Sequence, residues 1–449
     1  MNKYQIFEDK VICENQEIPI VWKGDVVVAG GGPGGLGAAV AAHRRGAKTI
    51  LLEKNGYLGG MCAYGCGMPL GGAYPAMRSI GGIAEEILTK VRDAGQDSAD
   101  VRHVDLFGDW DFHDSEYFKS MIAKFVLDEK MEVLLHCYVS DIIMKDSRNA
   151  AGIIIESKSG RQAIMGKTIV DSTGDADLCA RAGARFDKGD DNGDMMGVTI
   201  PYYIADVDTD KYLEYLKTDR GFAKAIAKAQ SEGHRISSED KMTSTHKGCR
   251  PGTVFVNSIR IRDVDGTKVE DLTRAELLAR VRIMDELDFF RKYIPGFKKA
   301  YVSSSGGEIG IRDTRRIYGE QYLDKDDCTG LRRRPESVIL RCQGPFDDTT
   351  RGHQNKTDYL NHVDVYKDYD IPYGCLVPKD LDNIIVAGRT FASHYLAHAG
   401  SRGQALLIGM GQASGTAAAA AAKEGIPFRD VNVAVLQKEL MEDGCDLGL

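Results

Sequence analysis

The 449-residue sequence predicts an α/β fold: a parallel sheet with a dinucleotide-binding unit near its start, interrupted by an inserted α+β unit. Three observations carry this expectation. An apolar run over residues 25–29 leads at once into Gly30-x-Gly32-x-x-Gly35 and then an Ala-rich, helix-forming segment, 38–45. A second apolar run, 49–52, ends in an acid, Glu53. The middle of the chain, from Phe186 to about Asp370, departs from this alternation, which returns at Asn383-Ile-Ile-Val-Ala-Gly388-Arg389.

Each part of the first unit has a physical role. Gly30 permits the tight turn off a buried strand, Gly32 lets backbone approach a pyrophosphate, and Gly35 allows close packing of helix on sheet. Free N–H groups and the dipole at the helix start favour phosphate charge. Glu53 stands eighteen residues past Gly35, where a carboxylate can accept hydrogen bonds from ribose hydroxyls. A lone glycine motif is weak; here the strand, helix and terminal acid that it requires are all present. Gly30, Gly32, Pro33, Gly34, Gly35, Glu53 and Lys54 are therefore cofactor-binding candidates.

Two features favour FAD over NAD: the unit sits near the N-terminus, and a second pair, Gly59-Gly60, follows Glu53 closely. With these residues the chain resembles the FAD-dependent oxidoreductase superfamily that includes succinate dehydrogenase and fumarate reductase flavoproteins. The resemblance implies a Rossmann-like FAD-binding domain with a crossover β-meander, built from residues 1–185 and 371–449 around a substrate-covering (cap) domain, 186–370. It also implies that Gly59, Gly60 and Met61 lie against the pyrophosphate and that Val139 offers its backbone to the adenine. Ser172-Thr173-Gly174-Asp175 resembles the family's Thr-Gly-Asp turn, which gives Thr173, Gly174 and Asp175 as cofactor contacts; capping of a helix over 176–182 is a compatible role for Asp175.

The intervening elements follow in order. Residues 61–82 are Gly-rich and read as an irregular loop beside the flavin ring. Within it Cys62 and Cys66 sit where disulfide reductases place a redox pair, but with three residues between them instead of four and with no second dinucleotide fingerprint downstream. Buried thiols are the competing reading. Residues 83–91 and 115–130 read as helices, the second capped by Ser115, and 132–136 with Tyr138-Val139 as sheet. Residues 151–156 and 161–165 form a hairpin, and 168–171 a further buried strand.

In the inserted unit, 196–205 reads as a strand, and 208–217, 221–230 and 271–293 as helices. Leu277, Leu278, Val281, Met284, Leu287 and Phe290 fall on one stripe of the last helix, which is the pattern of core packing. Ser305 to Glu320 is the most family-like segment of the insertion. If 309–317 form one strand, Arg312 and Arg316 share a face and can hold a carboxylate bidentately; ion pairing with Asp313, Glu308 or Glu320 is the alternative.

At the chain's return, Gly388-Arg389 stands where succinate dehydrogenase-like proteins carry Gly-Glu against the ribityl chain. His398-Ala-Gly-Ser-Arg402 reproduces the His-x-x-x-Arg spacing of fumarate reductases, whose Arg grips a substrate carboxylate. A small-residue helix, 404–423, follows. Arg402, Gly403 and Ala405 mark its start, whose dipole favours an anionic reduced ring. Residues 432–440 read as a last amphipathic helix.

Composition bounds the partners. The net charge of −8 and pI near 5.8 disfavour a nucleic-acid surface, and an RNA-acting flavoprotein with it. No apolar run approaches the ~20 residues of a membrane span. With no signal-peptide pattern at the start, a cytoplasmic protein with ten reduced Cys is expected, and no Cys/His set has metal-ligand spacing. The expected function is hydride transfer between flavin N5 and a small polar, carboxylate-bearing substrate. Arg312, Arg316, His394, His398 and Arg402 are the catalytic candidates. A flavoprotein electron-transfer subunit with a redox partner protein, or a disulfide reductase using Cys62 and Cys66, are the alternatives, and the oligomeric state is open.

Overall fold

The computed structural model describes residues 3–14, 17–68, 70, 80–95, 99–104, 108–236, 242, 244–330, 332–342 and 369–447. Its organising element is a seven-stranded sheet. The strand Ile20–Ala29 pairs in parallel with Thr49–Leu52, and that strand with Glu132–Leu134. On its other side Ile20–Ala29 pairs in parallel with Gly160–Asp171.

Gly160–Asp171 is a single twelve-residue strand, where the sequence suggested a hairpin arm and a separate strand. Its first half is antiparallel to Ala150–Ser157, itself paired with Tyr138–Met144. Its last three residues run parallel to Ile384–Val386. One strand thus belongs to both the meander and the parallel layer. The C-terminal segment enters the sheet directly beside the strands formed by the first third of the chain.

The helix Pro33–Arg44 covers this sheet and lies against Gln404–Glu424. Small residues make that crossing close: a Cβ at Gly411 would stand 2.0 Å from the Gly34 carbonyl oxygen, and one at Gly415 the same distance from that of Ala38. Among the described residues, Gln404–Glu424 is the helix long and apolar enough to cross a membrane, where the sequence predicts a helix over 404–423 but no apolar run of spanning length. Its most apolar stretch is 83% buried, and it serves as the core helix of this layer.

The second core is built by the insertion. A four-stranded sheet, Thr245–Lys247, Val254–Val256, Tyr202–Ala205 and Tyr301–Ser305 in that order, packs with the helices Thr209–Leu216, Ala223–Ser231 and Val269–Tyr293. Phe222, Phe289, Phe290 and Phe297 fill its centre. The strand expected over 196–205 is broken at Pro201, which has no N–H to donate: Val198–Thr199 pairs with Arg260–Ile261, while Tyr202–Ala205 joins the larger sheet.

Core membership divides the chain elsewhere than at residue 370. The insertion's core runs from Val198 to Ile309, with Ile311 packed against it. Ile317, Leu323, Val338 and Ile339 already belong to the cofactor-side core. The expected boundary after residue 370 falls inside the strand Tyr369–Pro372; residues 343–368, just before that strand, and residues 69 and 71–79 of the expected loop lie outside the described set.

Several local expectations are corrected. Asp114, not Ser115, caps the helix Ser115–Asp128, accepting from the N–H groups of Glu116 and Tyr117. The helix Asp177–Arg181 begins after Ala176, so Asp175 is no cap. The stripe on Val269–Tyr293 does not face the core: the buried residues are Ala275, Ala279, Ile283, Glu286, Phe289 and Phe290. Of the expected stripe only Phe290 is buried, because the helix is rotated to place its small and aromatic side chains inward.

Candidate active site: a crevice at the carboxyl ends of the parallel strands

The four parallel strands that end in Ala29, Leu52, Asp171 and Val386 open onto one cavity of about 580 Å3. This is where open α/β sheets place ligands, since strand ends and helix starts leave backbone groups unpaired there. Gly30, Gly32, Pro33 and Gly34 line it. Gly32 is open enough that a Cβ would meet nothing within 4 Å. Gly35 sits behind the turn: a Cβ there would stand 1.8 Å from the Gly30 carbonyl oxygen. Gly59 is also one step back, donating its N–H to the Gly31 carbonyl, while Gly60 and Met61 face the cavity.

Glu53 is buried at the tip of its strand. Its two carboxylate oxygens accept the N–H groups of Gly31 and Asn55, both at 2.8 Å. Burial raises its pKa in spite of those bonds. A buried acid fixed by backbone and lining the cavity beside the glycine turn fits a ribose diol, which would supply donors to its remaining lone pairs. Val139, with Cys137 and Tyr138, lines the cavity next to Glu53's strand, where an adenine would lie. These features fit FAD: an open glycine cradle, a buried acceptor and a cavity continuous past them to the start of the long helix.

At that far side, Thr173, Gly174 and Asp175 line one wall and Gly388 and Arg389 the next. Arg389 reaches across to Asp175 at 2.7 Å. Burial pulls the guanidinium down, but Asp175 and its other partners outweigh that and its net shift is upward. Asp175 also accepts the Thr314 hydroxyl at 2.7 Å, and its backbone carbonyl accepts from Arg315. Arg315 pairs with Asp177 at 2.8 Å and lies over the Phe186 ring.

The arginine pair expected on one strand face is not formed. The strand is only Arg315–Ile317; Arg312 precedes it, outside any strand. Arg312 lines the cavity, donating to the Gly197 carbonyl at 2.7 Å, and Arg315 lines it too. Arg316 is buried away from it, bound to Asp313, the Ser393 carbonyl and the Gly189 carbonyl. The ion-pair alternative therefore holds for Arg316. Burial raises the Asp313 pKa against the opposing pull of Arg316, Arg389 and Arg402.

Neither histidine candidate lines the cavity. His394 caps the helix Tyr395–Ser401, its Nδ1 accepting the Leu396 N–H. His398 is buried with both ring nitrogens unbonded to protein. Burial, and then Arg316, Arg402 and Arg389, hold its pKa well below the ordinary range, so it is neutral. Arg402 does line the cavity; Gly403 caps the long helix behind it, and Ala405 is buried in that helix.

Cys62 and Cys66 are free, buried thiols outside the cavity lining. The Cys62 thiol donates to the Gln404 side chain, and burial pushes its pKa up; that of Cys66 is pushed up to about 11. Both are poor thiolates, as structural thiols are.

Sequence reading missed Gln404, Tyr64, Thr199, Asn257, Glu308 and Arg315, all of which line the cavity. Arg315 had a signal in its proximity to Arg312. Thr199 and Asn257, joined to each other at 2.7 Å, had none, since they come together only when two strands of the insertion pair.

A family model described as FAD dependent oxidoreductase matches residues 25–440. A thiamine thiazole synthase of Methanococcus vannielii is 27% identical over 187 residues, 39% of this chain; the chain spans 64% of the length of that relative. A dihydrolipoyl dehydrogenase of Trypanosoma brucei brucei is 57% identical over 44 residues, 10% of this chain and 9% of its own length. Among solved structures, a geranylgeranyl bacteriochlorophyll reductase-like protein of Thermoplasma acidophilum is 14% identical, covering 94% of this chain and 84% of its own, with a TM-score of 0.46.

Proposed function

The chain belongs to the FAD-dependent oxidoreductase family, and on that premise we propose that it transfers a hydride between the flavin and a small carboxylate-bearing substrate bound in the same crevice. FAD, when bound, supplies the hydride acceptor or donor. Gly30 to Gly34, with Gly60 and Met61, would hold its pyrophosphate, and Glu53 its ribose.

The observation that carries the reading is the set of five arginines lining the cavity, Arg181, Arg312, Arg315, Arg389 and Arg402, with the carboxylates Asp175 and Asp177 among them. Arg389 and Arg315 are paired to those two acids. Arg312, from the insertion, and Arg402, just before the long helix, line the same cavity, and a substrate carboxylate would draw on these guanidiniums between the two halves of the molecule. Tyr64 also lines the cavity, and burial holds its pKa well above the ordinary phenol value. It keeps its proton at neutral pH and acts as a hydrogen-bond donor.

The test is an anaerobic titration of the yellow protein with a panel of carboxylates and their amides, following flavin absorbance. Acids are expected to bleach or reoxidise the flavin and amides are not. Arg312→Ala and Arg402→Ala should keep the yellow colour and lose about 100-fold or more in kcat/KM, the scale of a lost charged hydrogen-bond donor. Equal response to the amides, or full activity in Arg402→Ala, removes the carboxylate from this reading.

A further inference from the structure

The 25-residue helix Val269–Tyr293 carries an apolar face that no described part of the chain covers. Leu277, Leu278, Val281 and Met284 are 65, 41, 51 and 67% exposed. At about 100° per residue, Leu277, Leu278 and Met284 all fall within about 60° of Val281. Contiguous apolar surface of this kind on a charged protein marks a contact site.

The charges bordering the stripe identify what fits it. Arg274 and Asp288 each lie seven residues from Val281, on the same face and on opposite sides of it, about 10 Å along the axis. Glu270 and Lys292 each lie eleven residues away, again with opposite signs at opposite ends. Arg274 and Asp288 are 42 and 68% exposed. Their present partners lie on the same helix, Asp271 at 3.3 Å and Arg291 at 3.9 Å, with Arg274 also donating to the Asp263 carbonyl. Such exposed pairs are weak and exchange easily.

We propose that this face is an isologous interface with a second copy of the chain, its two-fold axis passing near Val281. Antiparallel pairing about that axis sets Val281 on Val281 and Leu278 on Met284 of the second copy. It brings Arg274 opposite Asp288, and Glu270 opposite Lys292, each pair formed twice. Parallel pairing would put like charge on like charge. The sequence of the helix is therefore self-complementary in one direction only, which is the property an isologous contact requires.

Sedimentation velocity of the FAD-loaded protein over a concentration series tests this. The native protein should associate to a dimer. Val281→Lys, at an exposed position, should give a monomer with unchanged flavin absorbance. Arg274→Asp and Asp288→Arg should each weaken the dimer by about tenfold through like-charge apposition, and the double exchange should restore it. A monomer across the whole range overturns the proposal. So does a dimer indifferent to Val281→Lys, or a double exchange no better than the single ones.

Discussion

The two cores of this molecule are made by different kinds of sequence. The cofactor-side core repeats strand, glycine turn and small-residue helix, and its tightest contacts are backbone on backbone: Gly35 on Gly30, Gly411 on Gly34. The insertion's core is aromatic, with Phe222, Phe289, Phe290 and Phe297 each fully buried. Backbone contacts leave no room for any side chain, so their residues are dictated one by one. Aromatic packing accepts many solutions of similar volume. The first core carries the glycine turn; the second supplies one wall of the crevice.

The sharpest break of that contrast is a Cβ in the glycine turn. Gly35→Val would set side-chain carbon 1.8 Å from the Gly30 carbonyl oxygen, with no flexible group to yield. The expected result is colourless protein that does not reconstitute with FAD, read from the absorbance of the purified variant. Phe297→Ala is the counterpart. It should cost about 3–5 kcal/mol in the insertion's core and lower the Tm, yet leave the flavin absorbance in place below that temperature. Loss of colour in both variants would mean that the two cores fold as one.

Legibility in the sequence follows the same division. Gly30 through Glu53 could be assigned from spacing alone, because each residue answers a separate backbone demand. The forked strand Gly160–Asp171 could not be read as one element, since its halves obey different pairing rules: half-buried meander first, buried parallel layer after. In the insertion, the apolar stripe of Val269–Tyr293 misled because periodicity shows that a face is apolar but not what it meets. Arg316 misled for a related reason. Strand alternation places it with Arg312 only if the strand extends that far, and the chain before Arg315 is not strand.

Glu53 tests the cofactor side more gently. Its pKa is raised by burial, so between the ordinary carboxylate value and the folded one the folded protein holds a proton that the unfolded chain has released. The carboxylate therefore costs stability above its folded pKa, and the cost vanishes below the ordinary carboxylate range near pH 4. Glu53→Gln should raise the Tm of the FAD-free protein at pH 7 and leave it unchanged at pH 4. The same change should weaken FAD by about 10- to 100-fold, the loss of a charged acceptor for the ribose. Equal Tm at both pH values would show that the acid is solvated and not part of the cradle.

The smallest effect is expected where the two cores meet over the crevice. Lys54, next to Glu53, pairs with Glu308 of the insertion at 2.7 Å, and both line the cavity. Burial pulls the Lys54 ammonium down, but Glu308, Glu53 and Asp175 outweigh it and the net shift is upward, so Lys54 stays charged. The segment carrying Glu308 is tied to both cores. The Gly307 N–H donates to the Tyr64 carbonyl, Arg280 holds the Gly306 carbonyl, and Ile309 binds Glu276. The ion pair thus ties the insertion to the cofactor-side core at the wall of the crevice. Because Lys54 and Glu308 are both partly exposed, it is worth at most about 1 kcal/mol. Lys54→Ala and Glu308→Gln should each speed flavin release by no more than about fivefold, measured as recovery of flavin fluorescence on dilution. The difference from the native protein should shrink as salt is raised, since exposed pairs are screened. A far larger acceleration would mean that the insertion holds the cofactor as firmly as the glycine turn does.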